Sequence, residues 1–284
     1  MSKSLIIYHA DCTDGWCAAW LMRKHLLQQG EPEPEMLART YGGDLPHLDE
    51  VHDVYIVDFS YSRVDMIEFN RRVTRKGGKL LVLDHHKTAQ ANCEGLEFCE
   101  FDLDRSGAGL VCDRFSDSFG STALTIATYV EDRDLWVFEQ SKSKEINAYL
   151  QSLPFTIEAW DELEKGFIAT EMARMGEATL QYRAKSIELH EKHVYWTYIG
   201  VLPDQPKVLW APYVCCSDKM IVSELLNRIA AREDNGTKMA VGVRIIPEGR
   251  WEFSIRSTED GPDVSEIAKQ FGGGGHKHAA GWRA

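Results

Sequence analysis

The chain has 284 residues, 44% hydrophobic and 27% charged, a composition typical of a soluble globular protein with one large or two modest domains. Its formal net charge of −12 argues against a protein that coats long nucleic acid, because such proteins present a broad basic surface. No apolar run approaches the roughly 20 residues of a membrane span, and the first residues lack a signal-peptide pattern. These features predict a cytoplasmic protein.

The seven cysteines are an odd number, and no two of them form a C-x-x-C pair. This spacing argues against a structural zinc site and against a secreted disulfide framework. Most of the cysteines are therefore predicted to be small residues of the core.

Strand and helix signals alternate through the first 135 residues of the chain. This alternation predicts a mostly parallel sheet with helices on both faces. A loop is predicted over residues 30–50, because this stretch is rich in proline and glycine. Strands are predicted over residues 5–8, 54–57, 80–83 and 98–102, and helices over residues 16–27, 61–75, 106–115 and 121–131.

The second half of the chain has a different character. Helix formers dominate residues 136–195, which predicts a helical connector. A smaller α+β domain is then predicted, with helices over 220–232 and 263–271 and strands over 239–246 and 251–256, joined by a turn at 247–250. The predicted domains are a metal-binding domain at 1–155, the connector at 156–194 and a C-terminal domain at 195–284.

Three of the strand-like runs end in side chains that bind metals. The first leads into His9, with Asp11 and Asp14 close behind; the second leads into Asp58. The third leads into Asp84, His85 and His86. An open α/β sheet places its active site beyond the carboxyl ends of its strands, so these side chains are expected to meet. Because crowded like charges repel and are costly to bury unpaired, divalent cations are the simplest way to stabilise such a cluster.

Each of these residues also has an ordinary structural explanation when it is taken alone. A single Asp58 after a strand is typical of a turn or a helix N-cap, and Asp14 is placed to cap the following helix. A histidine pair after a strand is compatible with a plain surface position. The coincidence of three strand ends favours the metal interpretation over these alternatives.

A glycine run near the C-terminus is the second strong signal. Gly272, Gly273, Gly274 and Gly275 are followed by His276. Consecutive glycines allow backbone N–H groups to point together and bind an anion. His276 and Arg256 are expected to add charged donors to this site. The alternative is a flexible glycine turn.

These elements together resemble the DHH phosphoesterase superfamily, in the branch that carries the DHH-associated C-terminal domain. That branch includes RecJ-like exonucleases, nanoRNases and exopolyphosphatase-like proteins. The motifs that carry the resemblance are residues 9–15, Asp58, the Asp84-His85-His86 triplet, the acidic stretch around Asp132 and the glycine-rich residues 272–281. The resemblance spans nearly the whole chain.

The resemblance implies a centre with two manganese ions, with Mg²⁺ as the alternative. One ion would be held by His9, Asp58 and an acidic residue of the first motif, and Asp58 would bridge to the second ion. The second ion would have Asp14, Asp58, His85 and Asp132 as its ligands. The catalytic set would consist of His86, facing the scissile phosphate, and Asp84. The substrate-binding residues in the C-terminal domain would be Arg256, Gly273, Gly274, Gly275 and His276.

The first motif departs from the Asp-x-Asp-Gly pattern of related enzymes. Cys12 stands at the first aspartate position, and Asp11 lies one residue earlier. Asp11 is the favoured ligand, because manganese and magnesium prefer oxygen; the alternative is a first metal site that is weak or softer in ligand type. Asp134 is a second candidate beside Asp132 for the fourth motif.

The function implied is metal-dependent hydrolysis of a phosphoester. The acidic charge favours a short oligonucleotide or a nucleotide phosphate over long duplex DNA, no membrane partner is expected, and a homodimer is left open. Two alternatives remain: an exopolyphosphatase or pyrophosphatase with the same metals, and a non-catalytic nucleotide-binding protein in which the altered first motif abolishes one metal site.

Overall fold

The computed structural model describes residues 3–40, 43–202, 205–246 and 249–284. The chain divides into two compact units, Met1–Leu180 and Gln181–Ala284. Each unit is built around its own sheet. The fold class expected from the sequence, a parallel α/β sheet followed by a helical segment and a smaller α+β part, is confirmed.

The first unit contains a five-stranded sheet in which every neighbouring pair of strands is parallel. Its spatial order is β2-β1-β3-β4-β5. The strands are β1 (Lys3–His9), β2 (Glu35–Arg39), β3 (Val51–Val57), β4 (Leu80–Asp84) and β5 (Cys99–Phe101).

Helices cover both faces of this sheet because alternate residues of each strand point to opposite sides. In β1, Ile6 packs into one core with Trp20 and Trp160, whereas Leu5 and Ile7 pack into the other. The helices of the first unit are α1 (Thr13–Gln28), α2 (Arg63–Thr74), α3 (Lys87–Cys93), α4 (Gly107–Phe115), α5 (Ser121–Asp134), α6 (Ser143–Leu150) and α7 (Ile157–Lys165). Helix α8 (Ala169–His190) begins in the first unit and ends in the second.

Strand β2 lies inside the stretch that the sequence predicted to be a loop, so that prediction is wrong for residues 35–39. This strand is at the edge of the sheet and pairs only with β1. Its residues are exposed or half-buried, so they lack the buried apolar pattern that identifies a strand in a sequence. Pro32 and Pro34 just before it strengthened the loop signal.

The second unit contains a mixed sheet of six strands in the order β10-β11-β9-β8-β7-β6. The pair β7–β8 is parallel and the other pairs are antiparallel. Pro247 and Glu248 of the predicted turn lie outside the described residues. The elements are β6 (Tyr195–Leu202), β7 (Gln205–Cys215), α9 (Lys219–Ala230), β8 (Met239–Ile245), β9 (Trp251–Ser257), α10 (Val264–Gln270), β10 (Gly274–His276) and β11 (Ala279–Arg283).

Among the helices of the described residues, none combines the length and the apolar character that crossing a bilayer requires.

The packing of the first unit predicts that Leu150 is important for stability. Leu150 is completely buried in α6, whereas Leu103, after β5, is 42% exposed. Leu150→Ala should lower the free energy of unfolding by about 2–5 kcal/mol, because it removes buried methyl groups and leaves a cavity. The matched control Leu103→Ala should change it by less than about 0.5 kcal/mol. Denaturant titration of both variants measures this difference, and equal losses would contradict the assigned core.

Candidate metal centre

The centre lies where β1, β3 and β4 end side by side. Tyr8 in β1 pairs with Val57 in β3, and Val57 pairs with Leu83 in β4. The next residue along each chain segment is therefore at the same level of the sheet edge. These next residues are His9, Asp58 and Asp84.

Asp58 is at the middle of the cluster and is 1% exposed. Its Oδ1 lies 3.0 Å from Nε2 of His85, and its Oδ2 lies 3.6 Å from Nδ1 of His9. Burial opposes the ionisation of Asp58, but the hydrogen bonds to His85 and His9 and the charge of His86 hold its pKa well below the usual value. The two oxygens of one carboxylate thus face two different imidazoles.

Two groups of ligand atoms share Asp58. Asp14, Asp58 and His85 form one group and His9, Asp58 and His86 the other, with the atoms of each group within 4.8 Å of one another. The first group is completely buried. Oxygen and imidazole ligands at this spacing suit manganese, magnesium and similar divalent cations. Oδ2 of Asp58 is buried, and its contact with Nδ1 of His9 is long at 3.6 Å, which also fits a ligand to a cation.

Asp14 is held by the start of α4. Its two carboxylate oxygens accept hydrogen bonds from the backbone N–H of Gly107 at 2.6 Å and of Ala108 at 3.0 Å. The N-terminus of a helix favours negative charge, so α4 fixes the direction in which Asp14 faces. Ser106 caps the same helix by accepting from the N–H of Gly109.

Two glycines make the close packing of the centre possible. A Cβ atom added to Gly107 would lie 2.4 Å from Cβ of Asp58 and 2.9 Å from Oδ2 of Asp14. A Cβ added to Gly15 would lie 2.5 Å from the carbonyl oxygen of His9. The sequence identified Gly107 only as part of a predicted helix start. The run of small residues at that helix start was the signal that a close approach occurs there.

Asp84 is completely buried and faces the backbone. Its Oδ1 accepts from the N–H of His85 at 2.8 Å and of His86 at 3.2 Å, and it lies 2.8 Å from Nδ1 of His86. Asp84 therefore orients the ring of His86. This geometry is that of a positioning residue, whereas the family resemblance implied that Asp84 is catalytic together with His86.

The fourth acidic position is better filled by Asp134 than by Asp132. Oδ2 of Asp134 lies 3.5 Å from Nε2 of His85. The oxygens of Asp132 accept instead from the backbone N–H groups of Glu139 and Gln140. Both aspartates are in the last turn of α5, so only the direction of the helix relative to the sheet decides which one reaches the cluster.

The first motif places Cys12, rather than Asp11, beside the carboxylates. Asp11 is exposed, adopts a left-handed φ of 55° and belongs to neither of the two ligand groups. Burial and the charges of Asp58, Asp134 and Asp14 raise the pKa of the Cys12 thiol well above its usual value. Asp11 was the favoured metal ligand of the first motif because manganese and magnesium prefer oxygen. The geometry does not support that prediction.

The predicted substrate-binding residues lie together in the second unit. Arg256 in β9 donates from Nη2 to Oγ of Ser223 at 2.8 Å. Gly274, Gly275 and His276 form β10, which pairs with β11. The second half of the glycine run is therefore part of an edge strand, where a glycine-rich loop was expected.

The backbone N–H groups of Gly272 and Gly273 donate to the carbonyl oxygens of Lys269 and Ala268. Those two N–H groups end α10 and are not directed at an anion. A Cβ on Gly273 would lie 2.1 Å from the carbonyl oxygen of Gly281, so the glycine is needed for close packing of the chain. The substrate-binding role of this segment stays a prediction.

Known proteins share this domain and this fold. Residues 216–284 match the DHHA1 domain. An uncharacterized protein of Acanthamoeba polyphaga mimivirus is 26% identical over 290 residues; the match covers 98% of this chain and 66% of that protein, so the chain spans about two thirds of this relative's length.

Two solved structures have the same fold. An exopolyphosphatase-related protein from Bacteroides fragilis aligns with a TM-score of 0.57 at 15% identity, over 99% of this chain and 86% of that one. RecJ of Thermus thermophilus in complex with Mn²⁺ aligns with a TM-score of 0.51 at 15% identity, over 99% of this chain and 49% of RecJ.

The DHHA1 match and the shared fold confirm the resemblance that the sequence motifs carried. Residues 216–284 carry a DHHA1 domain, and the described part of the first unit carries a cluster of histidine and aspartate side chains suited to divalent metal ions.

The electrostatics of the cluster predict that cation binding releases protons. Burial lowers the pKa of His85, but its hydrogen bond to Asp58 and the charges of Asp134, Asp58 and Asp14 outweigh burial and raise the pKa to about 10. His85 therefore holds a proton at neutral pH, and it must lose that proton before its Nε2 can bind a cation.

Calorimetric titration with Mn²⁺ at pH 6, 7 and 8, in buffers of different ionisation enthalpy, should show at least one proton released. The affinity should rise by about tenfold per pH unit for each proton released. An affinity that does not change with pH would show that His85 is not a ligand.

Substitution of Gly107 is expected to weaken cation binding. Gly107→Ala forces Asp58 and Asp14 apart, because the new methyl group overlaps both side chains. The affinity for Mn²⁺, followed by electron paramagnetic resonance of the free ion, should fall by about tenfold or more. The matched control is Gly120→Ala, since a Cβ at Gly120 meets nothing within 4 Å. Equal affinities in a folded Gly107→Ala protein would contradict the assigned packing.

Proposed function

We propose that this protein is a metal-dependent phosphoesterase that hydrolyses short oligonucleotides or nucleotide phosphates at a centre of two divalent cations. The observation that carries the proposal is the position of Asp58, whose carboxylate is shared by two groups of ligand atoms. A shared carboxylate is typical of two-metal hydrolytic sites. Manganese is the preferred ion, with Mg²⁺ as the alternative.

The distances within the cluster support a proposed set of ligands. Asp14, Asp58, His85 and Asp134 would hold one cation, and His9 and Asp58 would hold the other. Here Asp134 replaces the Asp132 expected from the sequence. When bound, the two cations supply an activated water nucleophile and neutralise charge that develops at phosphorus.

The protein's own groups orient the substrate. Asp84 lies 2.8 Å from Nδ1 of His86 and fixes that ring, so His86 is placed to donate a hydrogen bond to the phosphoryl oxygens. His86 is 7% exposed and Asp58 is 1% exposed, so these two side chains are themselves shielded from bulk water. In the second unit, Arg256 and the segment 273–276 are the proposed contacts to the rest of the substrate.

Asp58→Ala should abolish hydrolysis, because both cations lose a ligand. We expect kcat/KM to fall by about 1,000-fold or more, since several kcal/mol of transition-state stabilisation depend on the cations. The matched control is Asp117→Ala, at an exposed aspartate after α4. Substantial activity in folded Asp58→Ala protein would exclude the bridging role.

The substrate class is tested with a panel in the presence of Mn²⁺. The panel contains a dinucleotide, a five-residue RNA, a cyclic dinucleotide, phosphoadenosine phosphate, pyrophosphate and polyphosphate. Cleavage restricted to the nucleotide substrates is expected. Cleavage of polyphosphate or pyrophosphate alone would move the protein to the alternative of an exopolyphosphatase or pyrophosphatase.

Cys12 favours one further alternative, a non-catalytic nucleotide-binding protein. A protonated thiol beside Asp58 gives the cation at His9 fewer charged ligands than the cation at His85. Metal stoichiometry separates the two functions: two bound ions support the hydrolase, whereas one tightly bound ion without turnover supports the binding protein.

A further inference from the structure

Two carboxylates from different helices contact the start of α4. Asp14 of α1 accepts from the backbone N–H groups of Gly107 and Ala108. Glu131 of α5 accepts from the N–H group just before them, that of Ser106, which lies 3.1 Å from its Oε2. Glu131 belongs to neither of the two groups of ligand atoms in the metal centre, so its contact with α4 needs a separate explanation.

The contact between Glu131 and α4 is buried and closely packed. Ser106 is completely buried, and the side chain of Glu131 is only 16% exposed. A Cβ atom added to Gly109 would overlap Oε2 of Glu131, so a glycine is needed for the helix to lie this close to the carboxylate. Because a buried N–H group without an acceptor is unfavourable, loss of the carboxylate would force the chain at Ser106 to shift toward another partner.

Arg105 holds the second oxygen of Glu131. Its Nη1 donates to Oε1 of Glu131 at 2.5 Å, and its Nη2 donates to the carbonyl oxygen of Gly109 at 3.3 Å. Arg105 also forms an ion pair with Asp113, whose side chain is 60% exposed. An ion pair with such an exposed carboxylate contributes little, so Glu131 is the partner that ties Arg105 and the helix start to α5.

The contact made by Glu131 is next to the one that holds Asp14. The backbone N–H of Ser106 is fixed by Glu131, and the next two N–H groups along the chain are fixed by Asp14. Because adjoining peptide units are planar and share one Cα atom, a shift at Ser106 also moves the N–H group of Gly107. The position of Glu131 therefore affects the direction in which α4 holds the Asp14 carboxylate.

We propose that Glu131 is a positioning residue of the metal centre, which holds the start of α4 so that the helix directs Asp14 toward His85. Oδ2 of Asp14 lies 3.8 Å from Nε2 of His85. The inference rests on the proposed function and goes beyond its ligands, because Glu131 acts through α4 and touches no cation. Helix α5 thus contributes to the centre in two ways, directly through Asp134 and indirectly through Glu131.

The test measures the affinity for Mn²⁺ by electron paramagnetic resonance of the free ion. Glu131→Ala should lower the affinity by about 10-fold or more, the usual effect of losing a group that orients a metal ligand. Glu131→Gln should stay within about threefold of the wild type, because its amide oxygen still accepts from the N–H of Ser106. The matched control Asp113→Ala removes the exposed ion pair of Arg105 and should leave the affinity unchanged.

A second control separates positioning from stability. Leu150→Ala should destabilise the protein but keep the wild-type affinity for Mn²⁺ under conditions in which it is folded, since Leu150 contacts neither Glu131 nor a proposed ligand through a hydrogen bond. A wild-type affinity in Glu131→Ala would overturn the assignment. So would an equal loss of affinity in Glu131→Ala and in folded Leu150→Ala.

A measurement on the metal-free protein keeps this proposal separate from the proposed function. The amide proton resonances of Gly107 and Ala108 report on their hydrogen bonds to Asp14. Both should move upfield in Glu131→Ala, because longer hydrogen bonds deshield these protons less, and both should stay near their wild-type positions in Glu131→Gln. If the wild type binds no Mn²⁺ but the resonances shift in this way, the proposed function fails and the positioning of Asp14 by Glu131 stands. Unchanged resonances in Glu131→Ala would overturn it.

Discussion

The centre depends on one buried carboxylate that faces two imidazoles. Asp58 adopts a left-handed φ of 54°, a conformation that is uncommon for a residue with a side chain. Its backbone N–H is nevertheless fixed by a hydrogen bond to the carbonyl oxygen of Leu83, at the end of the neighbouring strand. The sheet thus holds the turn in place, and the turn directs Oδ1 toward His85 and Oδ2 toward His9. A carboxylate placed in this way can be shared by two cations.

Groups around Asp58 offset the repulsion between the buried carboxylates of the cluster. Three carboxylates, those of Asp14, Asp58 and Asp134, lie near His85, and a buried group of like charges is unfavourable without compensation. The start of α4 supplies part of this compensation, because its N–H groups and its dipole stabilise the anionic form of Asp14. Bound cations would compensate the remaining negative charge. The glycine at the start of α4 is what allows the helix to approach so closely.

The sequence predicts the parts of this arrangement that follow from periodicity. Buried strands followed by polar side chains identify β1, β3 and β4 together with His9, Asp58 and His85, since parallel strands must end at one sheet edge. Edge strand β2 lacks that signal, because an edge strand does not need two buried faces and its residues are exposed or half-buried. The choice between Asp132 and Asp134, or between Asp11 and Cys12, depends on the rotation of a helix or turn about its own axis. No local pattern encodes that rotation.

The acidic cluster at this sheet edge has a different electrostatic character with and without cations. Without cations, the charges of Asp134, Asp58 and Asp14 and the hydrogen bond to Asp58 raise the pKa of His85 to about 10, so the proton on His85 offsets part of their negative charge. Bound cations would displace that proton and would turn the same cluster of acids into a site that accepts a phosphoryl group. The buried carboxylates that are costly without cations are therefore the groups best suited to hold them.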